Sequence, residues 1–372
     1  MRVAFLSENL KEHLPFLNQA VSQRSTLPIL VNFLIEAKRG KVIFSATDLE
    51  IGAAVEIAAS IEEEGAITAP AKTLSDLFSS LPDEKITLEA KNGQLNVSSK
   101  RAKATLSTTP PEEFPKLYEE KGEEAATLTR EVIERELRSV VFAASQDLSR
   151  PVFSGVLIKP EKDGLLLVAT DAHRLSRRLA GSLKTKKGAL LNPIIVSGRA
   201  IKALLSGKGN EEVGVYVSNK NNQVVFVSGE RTLVGRLLEG EFPNFEKIIP
   251  QDFSVRSEFD RSEMEEALKI SSIFARDGAN IVKFSIGKDK ITVSSSGELG
   301  EDRVEVEAKS SGEENEIAFN GRYVLDFLSN IDSERVTFEM SGPLNPGVFK
   351  IQDPSYLHLI MPIRVKDEEL RE

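Results

Sequence analysis

Short runs of alternating hydrophobic and polar residues fill most of this chain, and a few longer segments with helical spacing separate them. In residues 8–21, Leu10, Leu14 and Leu17 recur at intervals of three or four, which predicts an amphipathic helix. Residues 41–47 show the period-two alternation of a half-buried strand. The pattern as a whole predicts an α+β protein, in which short helices are interspersed among antiparallel strands.

Each third of the chain repeats one order of predicted elements, a helix and about three strands, twice over. Helices are predicted at residues 8–21, 72–80, 130–145, 198–205, 261–273 and 322–330. Strands are predicted in the first third at residues 2–7, 29–37, 41–47, 52–61, 85–90, 94–99 and 102–107. In the second third they are predicted at 155–159, 164–170, 175–180, 212–218, 223–228 and 231–237. In the last third they are predicted at 281–286, 290–295, 301–308, 335–340, 347–352 and 357–363.

Sequence motifs also repeat between the first and second thirds. Arg24 through Leu30 and a later Thr47-Asp48 pair are matched by Arg150 through Leu157 and a Thr170-Asp171 pair, and residues 106–115 resemble residues 236–243. A repeat this long is a copied domain rather than a solenoid unit. The predicted domains are residues 1–120, 126–250 and 253–372, joined by short linkers at 119–125 and 250–253, so the domains are expected to be close neighbours.

Composition narrows the class of protein further. Of 372 residues, 40% are hydrophobic and 28% are charged, which is ordinary for a globular protein with real cores. No apolar run has the length of a membrane span, and the start of the chain reads as a strand rather than a signal peptide. Because the chain contains no cysteine, a disulfide framework and a thiolate metal site are excluded, and we expect a cytoplasmic protein.

The net charge of −9 argues against binding to nucleic acid only if charge is averaged over the whole chain, because such binding depends on where the Lys and Arg residues lie. Duplicated antiparallel sheets leave open edges, so three such domains could join edge to edge, and a head-to-tail partner could close a ring with helices lining its bore. Basic residues lie along the predicted helices, whereas acidic clusters fall elsewhere. A basic bore would bind duplex DNA through phosphates without reading sequence. The candidates from helix placement are Lys72, Arg199, Lys202 and Arg322; the alternative is that these side chains only solvate helix surfaces.

Six motifs, in this order, resemble one known family: Thr26-Leu27-Pro28-Ile29-Leu30, Ala46-Thr47-Asp48-Leu49-Glu50, Arg150-Pro151, Ala169 through Leu175, Gly240-Glu241-Phe242-Pro243 and Met361-Pro362-Ile363-Arg364. Over nearly its whole length the chain resembles the beta sliding clamp of bacterial replicative DNA polymerase III. The resemblance implies a homodimeric ring of six similar modules that encircles duplex DNA and tethers polymerases. It implies no catalysis, no cofactor and no metal. The implied partners are duplex DNA, the polymerase alpha subunit, the clamp-loader delta subunit and other proteins with a clamp-binding motif, and no membrane.

The resemblance also implies a pocket between the second and third domains for a short linear peptide of these partners. Aliphatic, Met and Pro walls with a few polar groups suit such a groove. By position, the implied lining is Phe153, Thr170, Ala172, His173, Arg174, Leu175, Pro243, Lys247, Ile248, Pro346, Val348, Leu359, Ile360, Met361, Pro362 and Arg364. Lys247 stands where the family commonly has Arg. Lysine keeps the positive charge but lacks the planar guanidinium group, which can donate two parallel hydrogen bonds.

Further positions follow from the same resemblance. Arg24 and Arg150 match positions beside the bore and are the leading DNA-contact candidates. At the dimer interface, Ile273 and Phe274 are expected to meet Ala104 and Leu106 of the partner copy, and Ala104 is smaller than the residue that the family often has there. The tail 366–372 is expected to be a frayed terminus, with competition for the pocket as the alternative.

Two other functions stay open at the level of sequence. Asp171 and His173 could form an acid–base pair of a hydrolase, although no nucleophile, phosphate-loop or zinc motif accompanies them. The chain could also be a ring that binds only proteins. Retention on circular DNA, with release on linearisation, distinguishes a clamp from such a scaffold.

Overall fold

The computed structural model describes residues 1–22, 27–147, 149–186, 192–207, 212–276, 279–298 and 300–364. In the first third the strands are β1 (Arg2–Leu6), β2 (Asn32–Lys38), β3 (Lys41–Thr47), β4 (Ile51–Ala58), β5 (Ser60–Glu63), β6 (Gly65–Pro70), β7 (Lys85–Lys91), β8 (Gln94–Ser98) and β9 (Lys103–Ser107). The helices there are α1 (Ser7–Lys11), α2 (Leu14–Asn18) and α3 (Ala71–Ser80).

The second and last thirds have the same order of elements. The second third has β10 (Glu123–Leu128), α4 (Arg130–Val141), β11 (Gly155–Glu161), β12 (Gly164–Thr170), β13 (Arg174–Ala180), β14 (Ile194–Ser197), α5 (Gly198–Leu205), β15 (Val213–Ser218), β16 (Gln223–Ser228) and β17 (Arg231–Arg236). The last third has β18 (Val255–Asp260), α6 (Arg261–Phe274), β19 (Ile281–Ile286), β20 (Lys290–Gly297), β21 (Gly300–Gly312), β22 (Asn315–Asn320), α7 (Gly321–Ser329), β23 (Arg335–Met340), β24 (Gly347–Lys350) and β25 (Tyr356–Ile360).

The chain divides into two compact units, and the central third is divided between them. The first unit contains Met1–Glu131, Thr185–Leu191 and Arg199–Leu238, and the second contains Val132–Lys184, Asn192–Gly198 and Glu239–Glu372. The first unit has a five-stranded sheet, β5-β1-β7-β8-β9, and an eight-stranded sheet, β10-β15-β16-β17-β4-β3-β2-β6. The second has a twelve-stranded sheet, β14-β11-β12-β13-β25-β24-β23-β18-β21-β20-β19-β22. All of these pairings are antiparallel, which confirms the predicted α+β class.

A strand precedes the helices of every half-domain, and it pairs with the other half of its own third. β1 pairs with β7 and β6 with β2; β10 pairs with β15 and β14 with β11; β18 pairs with β23 and β22 with β19. The same exchange therefore occurs in all three thirds. The threefold repeat read from sequence motifs is a repeat of topology as well.

Neighbouring thirds are joined by strand pairing. β4 of the first third pairs with β17 of the second, and β13 of the second pairs with β25 of the last. In both junctions the third strand after the helices of a first half meets the last strand of a second half. These pairings remove edges that would otherwise be open to aggregation, as expected from the duplicated sheets.

Most predicted helices and strands are present, but five strands that lead a half-domain were missed. β6, β14, β18 and β22 run directly into a helix, and only Thr129 separates β10 from α4, so each of these strands is adjacent to a stronger helix pattern. β10 also begins with two glutamates inside a predicted linker. The interpretation of each half as a helix and about three strands was therefore incomplete. The single predicted strand at 52–61 is divided into β4 and β5.

Two helix predictions were too long. The helix expected at 8–21 is broken into α1 and α2, because Pro15 has no N–H to donate to the preceding turn; it is tolerated only in the first turn of α2. The helix expected at 130–145 ends at Val141. There the chain turns away, and the N–H of Ser145 donates to the carbonyl of Phe153 at 2.8 Å.

Aromatic pairs lie among the aliphatic side chains in the buried core of each unit. In the first unit, the ring of Phe5 lies 5.8 Å from that of Phe44 and 6.0 Å from that of Phe78. In the second unit, the ring of Phe338 lies 6.0 Å from Phe319 and 4.9 Å from Phe349. These cores hold the strands and the turns between them in place.

Candidate functional site

The turn between β12 and β13, from Thr170 to Arg174, is fixed by its own side chains; we call it the Thr170 turn. The Thr170 hydroxyl donates to the carbonyl of Arg174 at 2.6 Å and accepts from the N–H of Ala172 at 3.1 Å. Oδ1 of Asp171 accepts from the N–H groups of His173 and Arg174, both at 2.9 Å. Ala172 has a φ of 76°, which is costly without a glycine, so these hydrogen bonds stabilise a strained backbone.

The Arg174 side chain anchors the turn to the elements around it. Its Nε donates to Oδ2 of Asp171 at 3.0 Å, and its Nη1 donates to Oδ2 of Asp326 at 2.6 Å. Its Nη2 donates to the carbonyl of Phe142 at 3.0 Å, and the guanidinium lies 4.5 Å from the centroid of the Tyr323 ring. Burial and the nearby Asp171 carboxylate raise the pKa of the Tyr323 hydroxyl. Every donor face of this buried arginine is therefore occupied.

The segment after β25 runs alongside the Thr170 turn. Arg174 pairs with Ile360 in the sheet, and one residue further the N–H of Met361 donates to the carbonyl of His173 at 2.8 Å. The His173 ring stacks on Tyr323 with a centroid distance of 6.5 Å. His173 and Met361 are both exposed. The arrangement brings the exposed Met361 and the exposed His173 to adjacent backbone positions, and a thioether and an aromatic ring there suit an apolar side chain of a ligand.

The turn between β3 and β4, from Thr47 to Ile51, has the same hydrogen bonds; we call it the Thr47 turn. The Thr47 hydroxyl donates to the carbonyl of Ile51 at 2.8 Å and accepts from the N–H of Leu49 at 3.0 Å. Oδ1 of Asp48 accepts from the N–H groups of Glu50 at 3.1 Å and Ile51 at 3.0 Å. Leu49 has a φ of 76°, the same as Ala172. The two Thr-Asp motifs therefore form equivalent turns.

The Thr47 turn is anchored by a different arginine. Nη2 of Arg199 lies 2.6 Å from Oδ2 of Asp48, and its Nη1 lies 2.6 Å from Oε2 of Glu50. Burial alone would lower the pKa of Arg199, but the two carboxylates outweigh it and raise that pKa. The N–H of Arg236 donates to the carbonyl of Glu50 at 3.0 Å, as that of Met361 does to His173.

All sixteen residues of the expected peptide pocket lie in the second unit. The structure brings the Thr170 turn, β24 and β25 together through strand pairing. The side chains that are exposed or half-buried are Phe153, Ala172, His173, Pro243, Lys247, Ile248, Pro346, Met361, Pro362 and Arg364. Those that are buried beneath them are Thr170, Arg174, Leu175, Val348, Leu359 and Ile360. The buried set supports the surface, and the exposed set is available to a ligand.

The expected DNA-contact residues lie in several places. Lys72, Arg199 and Arg322 are each the second residue of α3, α5 and α7, and all three are exposed. Lys202 is exposed on α5, and Arg150 is exposed directly before the short 3-10 turn Pro151–Ser154. Arg24 lies outside the described residues, as does the tail 366–372. The two ion pairs of Arg199 give it a structural role at the Thr47 turn instead of an uncompensated charge.

The expected dimer residues lie at two strand edges. Ala104 and Leu106 are on β9, which is the edge of the five-stranded sheet. At the end of α6, Ile273 is 57% exposed, and the Phe274 ring lies beside Gly300 at the start of β21. β18 pairs with β21 only at Ala308–Gly312, so residues 300–307 have no partner on that side among the described strands. Each unit thus has one open edge near these residues.

Several residues that build the site were missed from sequence. Asp326, Tyr323 and Phe142 surround Arg174 but come from α7 and the end of α4, far away along the chain. One sequence signal was available for Tyr323. Like Arg199, which anchors the Thr47 turn, it lies in the first turn of a helix that begins with a glycine directly after a strand. No sequence signal specified which carboxylate each arginine would bind.

Within the described ranges no group of three His, Asp or Glu side chains is placed to hold a metal ion. None of the helices described is long and apolar enough to cross a membrane.

Comparison with known families covers almost the whole chain. Residues 1–118 match the DNA polymerase III beta subunit, N-terminal domain; residues 127–244 match its central domain; residues 246–364 match its C-terminal domain. Three successive domain profiles in the family order therefore account for the three repeats of topology.

Relatives and solved structures agree with these matches. A protein of Staphylococcus aureus named beta sliding clamp is 30% identical over 359 residues, which span 93% of this chain and 94% of that protein. The crystal structure of the DNA polymerase sliding clamp from Bacillus subtilis has a TM-score of 0.88 at 27% identity, and that of the DNA polymerase III beta subunit from Thermotoga maritima has a TM-score of 0.87 at 27% identity. Each comparison covers 98% of this chain and 100% of the other. From its profiles, its relatives and its fold, this chain belongs to the DNA polymerase III beta subunit family.

Proposed function

We propose that this protein is a sliding clamp, in which two copies close head to tail around duplex DNA and hold the replicative polymerase on its template. The clamp makes and breaks no bond. It acts through effective concentration, because a tethered polymerase that lets go rebinds in a nearly intramolecular step. We place this activity in the cytoplasm, where bacterial replication occurs, and assign residues 1–120, 126–250 and 253–372 to the three clamp domains. The ranges of the three family matches support these bounds.

The observation that carries ring closure is the repeated junction between thirds. Twice, the third strand after the helices of a first half pairs with the last strand of a second half: β4 with β17, and β13 with β25. The one remaining pair of this type is β21 with β9, and their open edges lie in different units. A second copy supplies the missing partner for each edge, and two such contacts close a dimer.

The register of this third junction follows from the first two. The hairpin pairs Thr47 with Gly52 and Ser296 with Glu301, so Glu301 is equivalent to Gly52. Gly52 pairs with Val234 across the first junction. Thr105 is the equivalent of Val234, because β8–β9 and β16–β17 are hairpins of equal register. Glu301 of one copy is therefore proposed to lie opposite Thr105 of the other.

This register agrees with the expected dimer residues. Leu106 then lies opposite Gly300, where the Phe274 ring is also located, and Ala104 lies opposite Asp302. Leu106, Phe274 and the exposed Ile273 supply apolar area, and the small Ala104 supplies little. The interface is thus proposed to combine main-chain pairing with a modest apolar contact.

DNA contact is proposed through Arg24, Arg150, Lys72, Lys202 and Arg322, with Arg199 as a weaker member because its charge is compensated. The repeated placement of Lys72, Arg199 and Arg322 supports this. A cation in the first turn of a helix is unfavourable with respect to the helix dipole. Arg199 has the carboxylates of Asp48 and Glu50 as partners, and Lys72 and Arg322 at the equivalent positions are proposed to have the phosphates of DNA. Such contacts contribute equally to the free energy of binding for any DNA sequence.

The peptide site is proposed at the Thr170 turn, with Met361 and His173 as its exposed centre and the pocket residues given above as its lining. Its proposed ligands are the polymerase alpha subunit, the clamp-loader delta subunit and other proteins with a clamp motif. Burial of one ligand Leu or Phe there contributes roughly 1.5–3 kcal/mol, so two anchors give an affinity that permits exchange.

The hydrolase alternative is not favoured by the geometry. Both carboxylate oxygens of Asp171 are occupied, by two backbone N–H groups and by Arg174. The equivalent Asp48 does the same in a turn with Glu50 in place of His173. This aspartate therefore shapes a turn, and the family acts as a non-enzymatic processivity scaffold.

The test is retention on DNA. Protein loaded by a clamp loader onto nicked circular plasmid is expected to remain bound through gel filtration at high salt and to be released when the plasmid is linearised. Ordinary phosphate contacts would be lost at high salt on either template. Retention on linearised plasmid contradicts topological linkage, and failure to load favours the protein-only scaffold.

A further inference from the structure

The Thr47 turn borders a cavity of about 440 Å³ that has the volume of a ligand site. Its walls come from the Thr47 turn, the segment 115–117 after β9, the turn 220–223 between β15 and β16, and the end of β17. All of these belong to the first unit. The cavity lies at the junction of β4 with β17, whereas the proposed peptide site lies at the equivalent junction of β13 with β25.

An apolar floor is built into this cavity. Gly52 has no side chain, and a Cβ there would lie 2.8 Å from Leu117, so the glycine allows Leu117 to pack against the sheet. The carbonyl of Leu117 accepts from Nε2 of Gln223 at 3.0 Å, which fixes the segment. Val234 is buried beneath, and Leu49 is 51% exposed at the rim. The floor and rim can together receive one aliphatic side chain.

Three cations surround the cavity: Lys116, Lys220 and Arg236 are all exposed. In the described ranges, no carboxylate lies within 4.0 Å of any of these three side chains. Glu50, the one acidic lining residue, already binds Arg199 at 2.6 Å. In a chain with a net charge of −9, an uncompensated group of three cations is a local reversal of sign.

We propose that this cavity is a second peptide site, specific for an acidic segment with one leucine-sized aliphatic side chain. The aliphatic group packs on Leu117, Val234 and Leu49, and the flanking carboxylates lie against Lys220, Arg236 and Lys116. The analogy with the Thr170 turn rests on the proposed function, but the charge and shape of the cavity do not. A DNA backbone would meet the cations and leave the apolar floor empty, so a peptide fits better.

The test uses two labelled synthetic peptides, one with leucine between pairs of glutamates and one with glycine in place of the leucine. Fluorescence anisotropy is measured with the full-length protein, and a clamp-motif peptide is measured in parallel. We expect the leucine peptide to bind and the double variant Lys220→Glu/Arg236→Glu to weaken it by at least about tenfold. The same variant should keep its affinity for the clamp-motif peptide, which shows that it is folded.

Two controls separate this proposal from the proposed function. Met361→Ala should weaken the clamp-motif peptide and leave the acidic peptide unchanged; loss of both peptides together would place the acidic peptide at the Thr170 turn and overturn the second site. Lys38→Glu/Lys91→Glu reverses two other exposed cations of the same unit and should have no effect. Equal binding of the glycine peptide, or competition by a duplex oligonucleotide that depends on Lys220 and Arg236, would also overturn it, the latter in favour of a DNA contact.

Discussion

The N–H of Met361 donates to the carbonyl oxygen of His173 at 2.8 Å. This single bond joins the segment after the last strand to a turn formed nearly two hundred residues earlier in the sequence. It extends the sheet pairing of Arg174 with Ile360 by one residue. It therefore holds the backbone of the exposed Met361 beside that of His173.

Removal of the Met361 side chain should weaken the peptide site without unfolding it. Met361 is 38% exposed, so Met361→Ala removes apolar contact area mainly from the complex. A loss of about 1–2 kcal/mol in binding, or roughly 5–30-fold in Kd, is expected for a clamp-motif peptide. Isothermal titration calorimetry measures it. Leu49→Ala, at the equivalent turn, is the matched control and should leave this Kd unchanged; equal losses in both variants would refute the assignment.

Arg174 should be required for the stability of the second unit. Arg174→Ala leaves the carboxylate of Asp171 without its guanidinium and removes the interactions with Asp326 and Tyr323. Breaking a buried pair in this way costs about 3–5 kcal/mol, which urea denaturation followed by circular dichroism would measure. Arg177→Ala on the same strand is the control and should cost less than about 1 kcal/mol. Similar values for both variants would show that the anchor is unimportant.

Glu136 should make the second unit sensitive to acid. Burial alone would raise the pKa of Glu136, but hydrogen bonds from Ser182, Arg178 and Arg135 outweigh it and hold that pKa below its usual value near 4.5. The unfolded chain therefore binds a proton more readily than the native one, and the stability from this group is present above pH 4.5 and lost as pH falls through the lowered pKa.

The matched variant is Glu136→Gln, which keeps the shape of the side chain and removes its charge. At pH 7 it should lower the free energy of unfolding by about 3–5 kcal/mol, because Arg178 loses a buried partner. The difference from the native protein should shrink below pH 4.5. Unfolding free energies measured from pH 7 to pH 3 test this, and a difference that stays constant with pH would contradict it.

The first-turn cations should contribute to DNA binding through charge alone. Lys72→Ala/Arg322→Ala leaves up to two phosphates per copy without a neutralising cation, so the dependence of log K on log salt should become shallower by roughly 0.9 for each such phosphate. Binding to a primed duplex at several salt concentrations measures the slope. The control, Lys290→Ala, removes a lysine that is paired with Glu305 on a strand. An unchanged slope in the double variant would remove these helices from the DNA-binding surface.

The repeat could be read from the sequence because Thr-Asp and Phe-Pro motifs mark turns, and turns depend on local residues. The hydrogen bonds of Thr47 and Asp48 join residues at most four apart, and the second copy has the same ones. Strand alternation and helix spacing are local as well. For these reasons most elements were predicted within a few residues.

Long-range partners could not be read in the same way. Arg174 and Arg199 are both cations near a Thr-Asp turn, but one lies within its turn, and the other reaches its turn from a helix of another domain. The leading strand β14, which has only four residues, was missed because its place in the sheet is set by pairing with β11 of the other half-domain. Such pairings depend on the folded topology, which no local pattern contains.

Closure of the ring is the central claim, and a cross-link across the proposed third junction tests it most directly. Because the chain has no cysteine, Thr105→Cys/Glu301→Cys places two thiols that only a second copy can bring together in the proposed register. A short bismaleimide should convert this protein to a covalent dimer without a ladder of longer chains.

In a second experiment the protein is first loaded on circular plasmid and then cross-linked. The covalent dimer should stay on the circular DNA in sodium dodecyl sulfate and leave it on linearisation. The control Thr105→Cys/Glu316→Cys, which tests the other sheet edge at β22, should remain monomeric. Monomers or a ladder from Thr105→Cys/Glu301→Cys, or a cross-linked dimer that leaves intact circles in detergent, would contradict the closed ring.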